Sequence, residues 1–170
     1  MPKISWKWSL LLACIVVAGF ALMFIVSGRS VESQPSQKMS YQDNIIKQTQ
    51  DNADYRRVLF TGKNSQLVVM SIPPGGEVGE ETHKYTEQTL FFLSGTGKGE
   101  LDGRQFSIGP GDVVVVVPGT DHNFWNTGTV PLKIYTVYAP ANHLPGLVEA
   151  TKADADANTA DEAIGEMPPK

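Results

Sequence analysis

Gly75-Gly-Glu-Val-Gly-Glu-Glu-Thr-His-Lys-Tyr-Thr-Glu-Gln-Thr-Leu-Phe-Phe-Leu-Ser-Gly95 and Gly111-Asp-Val-Val-Val-Val-Val-Pro-Gly-Thr-Asp-His-Asn-Phe-Trp-Asn126 are the two stretches that decide how this chain folds. Each places a β-rich run beside Gly or Pro turn residues, and each carries side chains that bind cations. Strands present every second residue to one face, so Glu81 and His83 point together while Thr82 and Lys84 point away. Gln88 opens the next run, and His122 arrives some forty residues later. A divalent ion bound without thiolates needs oxygen and imidazole donors converging from several strands, and these four residues offer them. A second assignment takes His83, Tyr85 and Glu87 instead. Asn123 and Asn126 either orient His122 or satisfy turn backbone.

Outward from these stretches, short alternating or apolar runs recur over 55–60, 66–72, 80–84, 88–94, 97–101, 104–108, 113–117, 122–126 and 132–139. Turn residues separate them, the pattern of an all-β sandwich or barrel. Asp102-Gly103 predicts a tight type I′ hairpin, because that turn requires positive φ at both central residues. The five valines 113 to 117 suggest a strand buried on both faces. Parity puts Phe92 and Phe124 inward with Gln88 and His122. His143, beside Pro145-Gly146, reads as a capping or surface residue, with metal ligation as the alternative.

The two stretches resemble the motifs of the cupin family. The second is matched by Gly111, Pro118, Gly119, His122 and Asn126, with one extra residue between Gly111 and Pro118. The first is matched by Gly75, Glu81-x-His83, Gln88 and Gly95, with Glu81 where the family commonly has His and Gln88 where it has Glu. A subgroup of small single-domain cupins is similar in this respect, and in the sequence Pro131-Leu-Lys-Ile-Tyr-Thr-Val-Tyr-Ala-Pro140. The resemblance implies a double-stranded β-helix (jelly-roll) barrel, with Glu81, His83, Gln88 and His122 as ligands of a divalent ion such as Mn, Fe, Ni or Zn. It also implies a homodimer paired through its sheets. One carboxylate and three neutral donors leave a bound dication net positive, which favours an anionic small molecule. A metal-dependent enzyme, of oxygenase or isomerase type, is the first functional expectation. A non-catalytic binding module and a dimerisation scaffold are the alternatives.

The flanks complete the organisation. Trp8 to Gly28 carries no charge, and as a helix it would span roughly 30 Å, the thickness of a bilayer core. Residues 1–29 are therefore expected to be a membrane-spanning anchor, with a cleaved signal segment and secretion as the alternative. Lys3 and Lys7 precede the apolar run, which orients the domain outside the cytoplasm. Residues 30–52 read as a linker with a short helix within 41–52, residues 53–148 as the barrel, and residues 149–170 as an acidic tail, disordered or weakly helical. Of fourteen Lys and Arg, only eleven lie beyond Arg29, against eighteen Asp and Glu. That balance argues against nucleic acid or an anionic membrane surface as the domain's main partner. Cys14 is the only cysteine, so the domain has no disulfide and no thiolate ligand.

Overall fold

The computed structural model describes residues 40–168; the expected anchor lies outside the described residues. A short helix, α1 (Ile45–Asp51), is capped by Asn44, whose side chain accepts from the Lys47 N–H. Nine strands follow in the order the turn signals predict: β1 (Arg56–Thr61), β2 (Gln66–Ile72), β3 (Glu81–Thr82), β4 (Glu87–Ser94), β5 (Gly97–Leu101), β6 (Arg104–Ile108), β7 (Val113–Val116), β8 (Asp121–Asn126) and β9 (Leu132–Ala139). A two-residue strand, β10 (Val148–Glu149), and two helices, α2 (Lys152–Asp156) and α3 (Thr159–Gly165), complete the described chain. Asp102 and Gly103 both have positive φ, 47° and 78°, as the tight hairpin between β5 and β6 demands.

The strands form two antiparallel sheets, ordered β10-β1-β2-β9-β4-β7 and β3-β8-β5-β6. Their inner faces enclose one core. Val68, Met70, Ile72, Leu90, Phe92, Leu132, Ile134 and Tyr138 come from the larger sheet, and Ile108 and Phe124 from the smaller. Phe92 and Phe124 face inward as parity requires, with ring centroids 5.6 Å apart.

Three expectations are corrected. The valine run is not buried on both faces: Val114 and Val116 face the core at 9% and 1% exposure, while Val113, Val115 and Val117 are about half exposed at 55%, 50% and 54%. Val114 and Val116 join the core cluster, whereas the outer face of β7 is left open while α1 packs against β2, β4 and β9. The acidic tail takes its helical alternative rather than disorder, forming α2 and α3. Thr151 and Asp154 make a reciprocal capping box at α2, and Asn158 caps α3 by accepting from the Asp161 N–H. These caps satisfy N-terminal amides that a low-hydrophobicity segment would otherwise leave to water. The third concerns His143, which is 4% exposed rather than at the surface. Its backbone N–H donates to Gln66 Oε1 and its carbonyl accepts from Gln66 Nε2.

Candidate metal centre

Antiparallel pairing of β3 with β8 sets Glu81 directly opposite His122. This register brings together two clusters that are forty residues apart in sequence. His83 follows β3, and its carbonyl accepts from the Gly119 N–H in the turn before β8 at 2.9 Å. Gln88 enters from the other sheet. It is fully buried on β4, paired with Val116 of β7 and Tyr138 of β9.

One donor atom each from Glu81, His83 and His122 lies within 4.8 Å of the others. Glu81 Oε2 is 3.4 Å from His83 Nε2 and 4.0 Å from His122 Nε2. The other carboxylate oxygen, Oε1, accepts from Arg56 at 3.1 Å. His122 Nδ1 is 2.9 Å from the Thr120 carbonyl, which can only accept. Nδ1 therefore carries a proton, and Nε2 is the ring nitrogen left toward Glu81. Burial pushes His83 down to about 4; Glu81 opposes the shift, and His122, His143 and Arg56 add to it. At neutral pH that ring is uncharged and can donate electrons.

Seven buried side-chain polar atoms among the described residues have no hydrogen-bond partner. Four of them are Glu81 Oε2, His83 Nε2, Gln88 Oε1 and His122 Nε2, one from each residue of the predicted ligand set. Each unpaired buried group costs about 1–3 kcal/mol, so finding one on every expected ligand fits a cation rather than a sealed core. Gln88 uses its amide nitrogen to donate to the Tyr138 hydroxyl at 2.9 Å, which turns Oε1 into the free end. Burial holds the Tyr138 phenol well above its ordinary range, so it stays protonated.

The alternative assignment is not supported. Glu87 is exposed, on the opposite face of β4 from Gln88. Asn126 serves the backbone, and Asn123 links backbone to the Glu77 carboxylate. Asn123 accepts from Gly79 N–H and donates to Glu77, and Asn126 donates to the Ile72 and Val130 carbonyls.

Three features escaped sequence reasoning. Arg56 is buried against Glu81, Glu149 and Asp161, at 3.1, 3.3 and 3.8 Å. Its parity with Val58 was the available signal. Asp161, from the tail, lies 2.7 Å from His143 Nδ1, and no local pattern announces that pair. A cavity of about 400 Å³ opens beside the cluster, lined by Glu81, His83, Arg56 and His143 and roofed by residues of α2 and α3. The remaining unpartnered atoms, Arg56 Nε, Asn142 Oδ1 and His143 Nε2, belong to residues that line this same cavity.

Comparison with known proteins agrees with this architecture. The cupin-domain family model matches residues 68–138. An uncharacterized Bacillus subtilis protein, YrkC, is 40% identical over 119 residues, covering 66% of this chain and 63% of its own length. This chain thus spans somewhat under two thirds of that relative. An uncharacterized Methanocaldococcus jannaschii protein is 31% identical over 100 residues, covering 56% of this chain and 80% of its own. Among solved structures, the Bacillus halodurans protein BH2720 superposes with a TM-score of 0.68 at 35% identity, over 72% of this chain and 97% of its own. With two antiparallel sheets closed around one core, both motifs in register and these relatives, the chain belongs to the cupin superfamily.

Proposed function

We propose that Glu81, His83, Gln88 and His122 hold one divalent metal ion, and that the protein is a metal-dependent enzyme acting on a small polar molecule in the adjoining cavity. The observation that carries this reading is the unpartnered buried atom on each of the four residues. A divalent ion bound there supplies Lewis acidity, and a redox-active one supplies electrons for oxygenase chemistry. The chain's own residues do the rest. Arg56 orients Glu81, Thr120 orients the His122 ring through Nδ1, and the Phe124 ring centroid lies 6.1 Å from that of His122.

The cavity wall argues against the anionic ligand expected from the ligand set and for a neutral or cationic one. Glu80, Glu81, Asp156, Asp161, Glu162 and Glu166 line it, against Arg56 and Lys152. Lys152 is itself paired with Asp156. Six carboxylates exceed two cations and a bound dication together, so the wall repels an anion and favours a neutral polyol or a cationic amine. In this reading residues 1–29 tether the domain to a membrane, and pairing of two copies remains part of the proposal.

Elemental analysis of the purified full-length chain tests the metal directly. About one equivalent of a transition metal is expected, falling below about a tenth in His122→Ala. Wild-type protein with less than a tenth of an equivalent overturns the proposal.

A further inference from the structure

His143 and Asp161 form a second polar device in the same cavity, one that metal binding does not use. Asp161 Oδ2 lies 2.7 Å from His143 Nδ1, and Asp161 Oδ1 accepts from the Leu144 N–H at 2.7 Å. A carboxylate only accepts, so Nδ1 carries a proton toward Asp161, and Nε2 is the ring nitrogen turned away from that bond. That Nε2 is buried without a partner, on a ring that borders the cavity together with Glu81 and His83. The backbone of His143 is clamped on both sides by Gln66. The ring also stands edge-on to Tyr138 at 4.9 Å between centroids.

This is more structure than a packing residue requires. A histidine that only filled space would be placed by one contact, and a buried acceptor left empty is a cost. Here three elements converge on one imidazole: Gln66 of β2 holds the backbone, Tyr138 of β9 sets the ring plane, and Asp161 of α3 sets the tautomer. The carboxylate also stabilises the imidazolium that would form if Nε2 took a proton.

We propose that His143 is the proton acceptor of this cavity, with Asp161 as its positioning residue, and that the ligand it takes is a small molecule bearing a hydroxyl or ammonium group. The proposal rests on the reading of the cavity as a ligand site beside the metal. The ligand's O–H or N–H donates to Nε2; when the proton transfers, that bond breaks, an Nε2–H bond forms, and the charge on the ring is balanced by Asp161. No oxidant or reductant enters. Since Asp161 belongs to the tail, α3 is a working part of the site.

The test uses full-length protein labelled with ¹⁵N-histidine and loaded with Zn²⁺, read by long-range ¹H–¹⁵N correlation. His143 is expected as the Nδ1–H tautomer, and Asp161→Asn is expected to remove that preference while Zn²⁺ stoichiometry is unchanged. Ethanolamine serves as the probe, with acetate as the control lacking a donor. Ethanolamine is expected to move the His143 Nε2 signal toward that of a protonated ring, and His143→Gln or Asp161→Asn to weaken its binding about tenfold. An Nε2–H tautomer in the wild type, or an Nε2 signal that ethanolamine does not move, overturns the proposal. Loss of Zn²⁺ in His143→Gln overturns it differently, by making His143 a ligand. If wild-type protein binds no Zn²⁺, the metal reading fails, and the tautomer and ethanolamine results still judge His143 independently.

Discussion

Arg56 donates from Nη2 to Oε1 of Glu81 at 3.1 Å, and this one bond leaves Oε2 as the oxygen that lies between His83 and His122. The same guanidinium approaches Glu149 and Asp161. Three carboxylates therefore share one buried cation. The imbalance is what a dication at the cluster would correct.

Arg56→Met tests that arrangement. Removing one partner of a buried ionic network leaves its carboxylates uncompensated, at a cost of about 3–5 kcal/mol. The loss is expected to be smaller in Zn²⁺-loaded protein than in chelated protein, because a bound dication takes over part of the compensation. Urea unfolding of both forms measures it. Equal losses with and without metal would mean that the guanidinium and the ion act independently.

The pH dependence of the chelated protein follows from His83. Its folded value lies at about 4, below the ordinary 6.5, first because it is buried. A depressed folded value means that, below about 6.5, the unfolded chain takes a proton that the folded chain refuses. Stability is full above that pH and declines by about 3 kcal/mol as pH falls toward 4. Asp161 adds to the loss further down. Burial alone would raise its carboxyl, yet the bond from His143, the Leu144 N–H and Arg56 hold it below its usual range. A His83→Gln variant should lose most of the slope between pH 7 and 4. An unchanged slope would place its origin elsewhere.

The strands and the ligand parity were legible in the sequence because both depend on local alternation. Glu81, His83 and Gln88 share one short segment, and the turns flanking it contain Gly and Pro. The valine run misled because five β-branched residues read alike whether or not something covers the strand's outer face; α1 packs against β2, β4 and β9, while the outer valines of β7 meet solvent. His143 and Asp161 are farther from local reading. Their contact joins a loop to a tail helix across eighteen residues, and neither segment has a periodicity that points to the other. The polar tail was read from composition, which registers its scarcity of large apolar side chains but not its two N-caps. Its order comes from capping and from one buried carboxylate rather than from apolar area.

Gly97 tests the packing of the smaller sheet. β5 lies between β6 and β8, and a Cβ at this position would run into the backbone carbonyl of Trp125 and press on Ile108. The obstacle is backbone, which cannot swing aside as a side-chain tip can. Gly97→Ala should cost about 1–3 kcal/mol by overpacking. Gly103, with open space around its Cβ position but a positive φ, should lose only about 1 kcal/mol on the same change. Thermal unfolding of the two variants gives the comparison, and a Gly97→Ala protein as stable as wild type would show that β5 and β8 can separate locally.

Gln88 is one of the two positions, with Glu81, where this chain departs from the motif it resembles, and its substitution separates ligand from bystander. Its amide nitrogen is committed to Tyr138, and Oε1 is buried and free. Gln88→Glu supplies a second carboxylate at the same reach, and the protonated Tyr138 hydroxyl can turn from accepting to donating. Two carboxylates neutralise a dication where one leaves it positive, so Zn²⁺ affinity should rise at least about tenfold. The chelated variant should be less stable than wild type, since the new charge is then buried without a counterion. Gln88→Leu removes the oxygen and should weaken Zn²⁺ binding about tenfold, with His83 and His122 still in place. Competition against a chromophoric chelator measures both variants. If neither affinity moves, Gln88 spends its amide on Tyr138 alone, and the ion is held by Glu81, His83 and His122.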